Sequence, residues 1–108
     1  MLYPGLPDHP GGEIAAKQMS APGGMISFRV KAGMEAAKSV TMKTRLFTLA
    51  ESLGGIESLI EHPGIMTHAS AAGSPLEVPD DLVRVSVGIE TTDDLVAWLL
   101  YTSDAADE

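Results

Sequence analysis

The residues with the means to do chemistry fall at two places in this chain. Glu51 and Ser52 close an apolar run, Leu46-Phe47-Thr48-Leu49-Ala50, and Gly54-Gly55 follow at once. A strand that stops at polar residues and a permissive turn presents a few side chains to a ligand. Arg84 stands mid-strand, on the face opposite Val83, Val85 and Val87. A long planar cation there needs an anionic partner, and its donor fork suits bidentate recognition of a carboxylate. A solvated sheet face or an ion pair with a local acid would satisfy it equally well. Ser52 would need a base and an oxyanion pocket to act as a nucleophile, and no Ser-His-Asp order supports one. Glu51 and Ser52 therefore fit ligand contact or turn stabilisation better than covalent catalysis, and no catalytic residue is assigned.

Three other features carry less. His9, His62 and His68 lack the close pairings of zinc sites, so they are read as structural or surface residues and no metal is expected. The Gly-Gly pairs at 11–12, 23–24 and 54–55 do not sit between a strand and a helix with nucleotide-loop spacing, and are turn glycines. The methionines lie mostly in or beside apolar runs and are read as core filler rather than a binding surface.

With 15 acidic against 7 basic residues and a formal net charge of -8, the chain would repel nucleic acid and anionic membrane surfaces. At 108 residues it is one small domain at most, and without cysteine it has neither disulfides nor thiolate metal sites. The apolar run Leu95 to Tyr101 is far shorter than a membrane span, and no signal peptide is visible, so a soluble cytoplasmic protein is expected.

The elements that must position these residues can be read in order. Tyr3-Pro4-Gly5-Leu6-Pro7 predicts an extended arm, followed by a short helix that Asp8 caps, with Pro10 in its first turn, and that Glu13 to Met19 continue. Ile26, Phe28 and Val30 alternate with Ser27, Arg29 and Lys31, which predicts a strand over Met25–Lys31 with one wet face. A helix follows from Met34 to about Lys43. Arg45 to Ala50 is apolar nearly throughout and predicts a central strand. Glu57 to Glu61 predicts a third strand, Met66 to Ser70 an extended stretch, and Ala71 to Asp81 a surface loop. Leu82 to Gly88 predicts the last strand. Thr91 and Asp94 resemble a capping box for a helix that buries Leu95, Val96, Leu99 and Leu100. The fold class is α+β: a mostly antiparallel sheet with helices on one face.

Five longer phrases add a resemblance. Tyr3-Pro4-Gly5-Leu6-Pro7-Asp8-His9-Pro10 and Gly23-Gly24-Met25-Ile26-Ser27-Phe28 are similar to the arm and following strand of the pyridoxal-phosphate-dependent enzymes of cysteine and methionine metabolism. The run from Leu46 to Pro63, then Met66-Thr67-His68-Ala69-Ser70 and Leu82 to Glu90, resembles the C-terminal part of the cystathionine γ-synthase and γ-lyase branch of that trans-sulfuration family. The resemblance implies the small C-terminal domain of an aminotransferase-like, fold type I enzyme, working with a large cofactor domain in a homotetramer. It divides the chain into an arm and connecting helix (1–24), the small domain (25–101) and a tail (102–108) foreign to the pattern. It matches Arg84 to the arginine that binds the substrate α-carboxylate, Ser52 to the serine at the active-site corner, and Glu51 to an acidic position typical of the γ-synthases and γ-lyases.

The implied reaction joins O-acylhomoserine and cysteine into cystathionine, with pyridoxal 5'-phosphate as cofactor. A γ-lyase or an O-acylhomoserine sulfhydrylase of the same family, or a non-catalytic assembly module, are the alternatives. Lys17, Lys31, Lys38 and Lys43 lack the Ser/Thr-rich setting of the family's cofactor lysine. The chain is thus expected to be inert alone, with an exposed apolar patch where the large domain would sit.

Overall fold

The strongest alternations in the sequence become two paired strands, Leu82–Ser86 inside a sheet and Met25–Arg29 at its edge. The computed structural model describes residues 1–44, 46–66, 73–75 and 77–98. Its elements are α1 (Gly12–Gln18), β1 (Met25–Arg29), α2 (Met34–Lys43), β2 (Thr48–Leu49), β3 (Leu59–Glu61), α3 (Pro63–Met66) and β4 (Leu82–Ser86). A further helical stretch, α4, occupies 92–98.

The strands lie in the order β1-β4-β3-β2. β4 is antiparallel to β1, with Phe28 opposite Val83 and Ser27 opposite Arg84. It is also antiparallel to β3, with Ile60 opposite Val85 and Glu61 opposite Arg84. One face of this sheet is apolar because alternate side chains share a face. Ile60, Val83 and Val85 meet Ala37 and Val40 of α2, Leu95 of α4, and Phe47 in a single buried cluster. Each of these side chains larger than alanine contributes roughly 1.5–3 kcal/mol by leaving water. The α+β architecture expected from the sequence is present, with α2 and α4 on one face.

Several expectations are corrected. The strand expected over 45–50 is not central: among its described residues only Thr48–Leu49 form a strand, both are exposed, and β2 is outermost. Its hydrophobicity serves Phe47, which is 2% exposed in the core just before the strand. The inner strand is β3, whose Leu59, Ile60 and Glu61 are all buried. β2 and β3 run parallel, with Thr48 opposite Leu59 and Leu49 opposite Ile60. Residues 50–58 make that connection in fewer than the dozen or so residues usual for parallel strands, so they climb over the sheet as a tight loop.

Asp8 does not cap α1. The helix begins at Gly12 behind Gly11 at φ 80, with no side-chain cap and no buried residue. Before it the chain coils through bonds from Leu6 N–H to the Tyr3 carbonyl, His9 to Leu6 and Gly12 to His9. The arm is extended only at Leu2, which bridges Ser27 on the open edge of β1. β1 and β4 each end earlier than expected, at Arg29 and Ser86. α2 spans the predicted residues. Met66 lies in α3 rather than in an extended stretch. Val96 is 51% exposed instead of buried, because only Leu95 of α4 turns to the core. Leu99, Leu100, the tail at 102–108 and the stretch 67–70 lie outside the described residues.

The loop crossing brings Gly88, just beyond β4, against the backbone of Ile56 and Glu57. A Cβ at Gly88 would collide with the Ile56 carbonyl oxygen and the Glu57 carbonyl carbon. Backbone on both sides cannot yield as a side-chain tip would. Gly88→Ala should therefore lower stability by about 2–4 kcal/mol, read as a drop in urea midpoint with unchanged slope.

Candidate functional site

The face of the sheet away from the apolar cluster carries Arg84, Ser86 and Glu61, and the 50–58 loop lies over it. β4 turns Arg84 to this side because Val83 and Val85 turn to the other. Directly opposite, β3 presents Glu61. The Arg84 Nη2 and Glu61 Oε1 are 2.7 Å apart, with the side chains 19% and 1% exposed. Water screens a pair this deep only weakly, and losing either partner would leave a charge uncompensated. The same Nη2 donates a long bond of 3.5 Å to the Glu51 backbone carbonyl.

The loop is held in place from below. Gly54, at φ 76, donates its N–H to Ser86 Oγ at 2.8 Å. A left-handed residue is needed there for the loop to reverse onto the sheet, which explains a glycine at that turn. The site residues expected from sequence thus converge in part. Arg84 meets the backbone of Glu51, while the side chains of Glu51 and Ser52 are exposed at the corner. The ion pair with a local acid, one of the two readings for Arg84, is present. It leaves other N–H groups of the guanidinium for a second acceptor.

Glu61 was missed by sequence reasoning. Its place at the end of Leu59-Ile60-Glu61, two short of a proline, reads as a strand terminus reaching for water. Only its register with Arg84 reveals a buried partner.

A second polar cluster fixes the far end of the loop. Ser58, fully buried, donates its backbone N–H to Glu90 Oε1 at 2.6 Å and its hydroxyl to Glu90 Oε2 at 2.7 Å. The same hydroxyl accepts the Gly88 N–H at 2.8 Å. Ile89 N–H bonds the Ile56 carbonyl at 2.9 Å. Glu90 is held below the usual carboxylate range, first by the Ser58 hydroxyl and then by the backbone N–H of Ser58. Leu53, Ile56 and Ile89 stand exposed around this corner.

His62 is buried and structural. Its Nε2–H donates to the Asp80 carbonyl, which can only accept, and its backbone N–H meets Met66 Sδ. No cluster of metal ligands occurs among the described residues. His68 lies outside them.

The lysines do not fit a cofactor attachment point. Lys17, Lys31 and Lys43 are exposed on α1, after β1 and at the end of α2, and Lys38 pairs with Glu35 on α2 at 3.6 Å. A carbonyl-binding lysine is made reactive by desolvation in a pocket or by a neighbouring cation. None of these has either, and the α2 pair rides on the helix that covers the apolar side.

Sequence and fold together match a known group of enzymes. The family model for Cys/Met metabolism PLP-dependent enzymes matches residues 1–102. The chain is 69% identical over 99 residues to cystathionine gamma-synthase of Mycobacterium tuberculosis (strain ATCC 25618 / H37Rv), covering 92% of this chain and 26% of that protein. It is 58% identical over 99 residues to cystathionine gamma-lyase of Saccharomyces cerevisiae, covering 87% of this chain and 25% of the relative. The crystal structure of metB from Corynebacterium glutamicum superposes with a TM-score of 0.92 at 60% identity, over 95% of this chain and 27% of that one. The chain belongs to the pyridoxal-phosphate-dependent enzymes of Cys/Met metabolism, and its α+β fold is that of fold type I enzymes. It spans about a quarter of the length of these relatives.

Because the folded Glu90 holds its proton less tightly than an unfolded one, its contribution is present above the ordinary glutamate value of about 4.5. It is lost as the pH falls through the lowered folded value. Acid unfolding followed by circular dichroism should begin at higher pH in Ser58→Ala, which removes the hydroxyl donor, and Glu90→Gln should flatten the stability profile below pH ~5.

Proposed function

We propose that this chain is the small C-terminal domain of a cystathionine γ-synthase-like enzyme, positioning O-acylhomoserine and cysteine for their conversion to cystathionine. The observation that carries the reading is the arginine itself. Arg84 is anchored on one side by a buried carboxylate, lies beside the Glu51–Ser52 corner, and keeps donors in reserve. Its role is to bind the α-carboxylate and so fix which end of the amino acid faces the reacting carbon. The exposed Ser52 hydroxyl braces the corner beside the substrate. Glu51 faces the amino group of the sulfur substrate. A cystathionine gamma synthase from Xanthomonas oryzae pv. oryzae, 44% identical to this chain, was solved with aminoacrylate and cysteine. Both ligands carry the α-carboxylate that Arg84 would receive.

A γ-lyase is the second reading, favoured by the 58% identity to the yeast enzyme. Assaying the full-length enzyme with O-succinylhomoserine plus cysteine against cystathionine alone separates the two. The remaining three quarters of the relatives' length would supply the large cofactor domain and the tetramer contacts, with Leu53, Ile56 and Ile89 as apolar residues to be covered. No helix among the described residues is long and apolar enough to cross a membrane, in keeping with a cytoplasmic enzyme. Pyridoxal phosphate supplies the family's electron sink, and the lysines of this chain do not fit its attachment.

Two outcomes test the reading. In the full-length enzyme, Arg84→Ala should raise KM for O-succinylhomoserine by about a hundredfold, the loss of a charge-assisted fork. Arg84→Lys should restore little, since an ammonium offers no fork; an unchanged KM and kcat in the alanine variant would rule out the carboxylate role. The 108-residue chain alone should give no saturable visible absorption change on titration with pyridoxal phosphate. A saturable band would show that it holds the cofactor after all.

A further inference from the structure

We infer that Glu61 is a positioning residue for the reaction: its buried carboxylate sets the orientation in which Arg84 meets the substrate α-carboxylate. The inference rests on the role proposed for Arg84 and extends it to a residue that never touches substrate.

The argument starts from the guanidinium. Nη2 carries two hydrogens and belongs to both forks by which an arginine grips a carboxylate, one shared with Nε and one with Nη1. Here Nη2 already has two acceptors, Glu61 Oε1 at 2.7 Å and the Glu51 carbonyl at 3.5 Å. The first is a short charge-assisted bond and the second lies at the limit of hydrogen bonding. An arriving carboxylate therefore displaces the Glu51 carbonyl and completes a fork, while Glu61 keeps its own hydrogen. The orientation left to the substrate is the one Glu61 allows.

Two observations make this more than an incidental ion pair. Glu61 is the direct register partner of Arg84 and is 1% exposed on the inner strand, so it cannot follow the arginine if the latter swings. Arg84 is an otherwise flexible side chain, 19% exposed, whose aim needs an external constraint. A buried ion pair adds little net stability over apolar residues of the same volume, so stability alone does not account for charges here. Pre-orientation before binding does, because it removes the ordering cost from the binding step.

The test uses the full-length holoenzyme and compares Glu61→Gln, Glu61→Asp, Arg84→Ala and the Glu61→Gln/Arg84→Ala double variant. The substrates are O-succinylhomoserine and its α-carboxamide. Glu61→Gln should raise KM for the acid roughly tenfold with kcat within about threefold, and should leave binding of the carboxamide unchanged. The double variant should be no worse than Arg84→Ala, since both substitutions remove one interaction. A purely structural Glu61 would not discriminate acid from amide. If Arg84→Ala raises KM and Glu61→Gln does not, the positioning role is overturned and the proposed function stands. If Arg84→Ala itself has no effect, both fall. Should Glu61→Gln fail to fold, Glu61→Asp decides: it keeps the charge but withdraws it by one methylene, and a raised KM for the acid alone supports the role while a wild-type KM overturns it.

Discussion

A carboxylate that is 1% exposed has to be met by a cation, and in this chain that cation is Arg84. The requirement reaches well beyond the pair. Because side chains alternate along a strand, a register slip of one residue between β3 and β4 would send Arg84 into the cluster of Ala37, Val40 and Phe47. It would also turn Val83 and Val85 onto the polar face. The apolar core and the polar site are thus two readings of one register, and the ion pair makes the wrong register expensive on both faces.

The corner depends on that register in turn. The 50–58 loop has to join parallel neighbours by a short path, and it does so by lying on the face that Arg84 and Ser86 occupy. Gly54 fastens one end to Ser86, while Ser58, Gly88 and Glu90 fasten the other. The bare Cα of Gly88 is what permits the backbones to touch. With both ends tied, the Glu51 carbonyl reaches Arg84. A polar corner built on a loop gains here the precision normally given by regular elements.

Much of this was legible in the sequence. The alternation at Ile26-Ser27-Phe28 and Val83-Arg84-Val85, and the helix at Met34–Lys43, follow from periodicity and appear at nearly the expected positions. Arg84 stood out as a cation needing an anion, and the polar corner at Glu51–Ser52 stood out by its abrupt end. What sequence order hides is pairing. Hydrophobicity pointed to 45–50 as an inner strand, yet β3 took that place because its Glu61, and Ser58 just before it, find partners on β4 and beyond it. A polar residue is costly inside only when unsatisfied, and satisfaction by a residue some 30 positions away leaves no local trace. Asp8 illustrates the converse: a good capping residue is idle when the preceding turns start the helix elsewhere.

The strand order β1-β4-β3-β2 has a consequence for the time course of folding. β4 is the last strand in sequence and lies between the first and the third, pairing Met25 with Ser86 across most of the chain. Until Leu82–Ser86 arrives from the ribosome, β1 and β3 have no partner on their inner edges, and Glu61 is without its arginine. The sheet therefore closes by insertion at its centre rather than growth at its rim. Long-range closure of this kind is slow and leaves strand edges open to wrong partners while it waits. The molecule's most vulnerable interval is thus set by topology, before any chemistry begins.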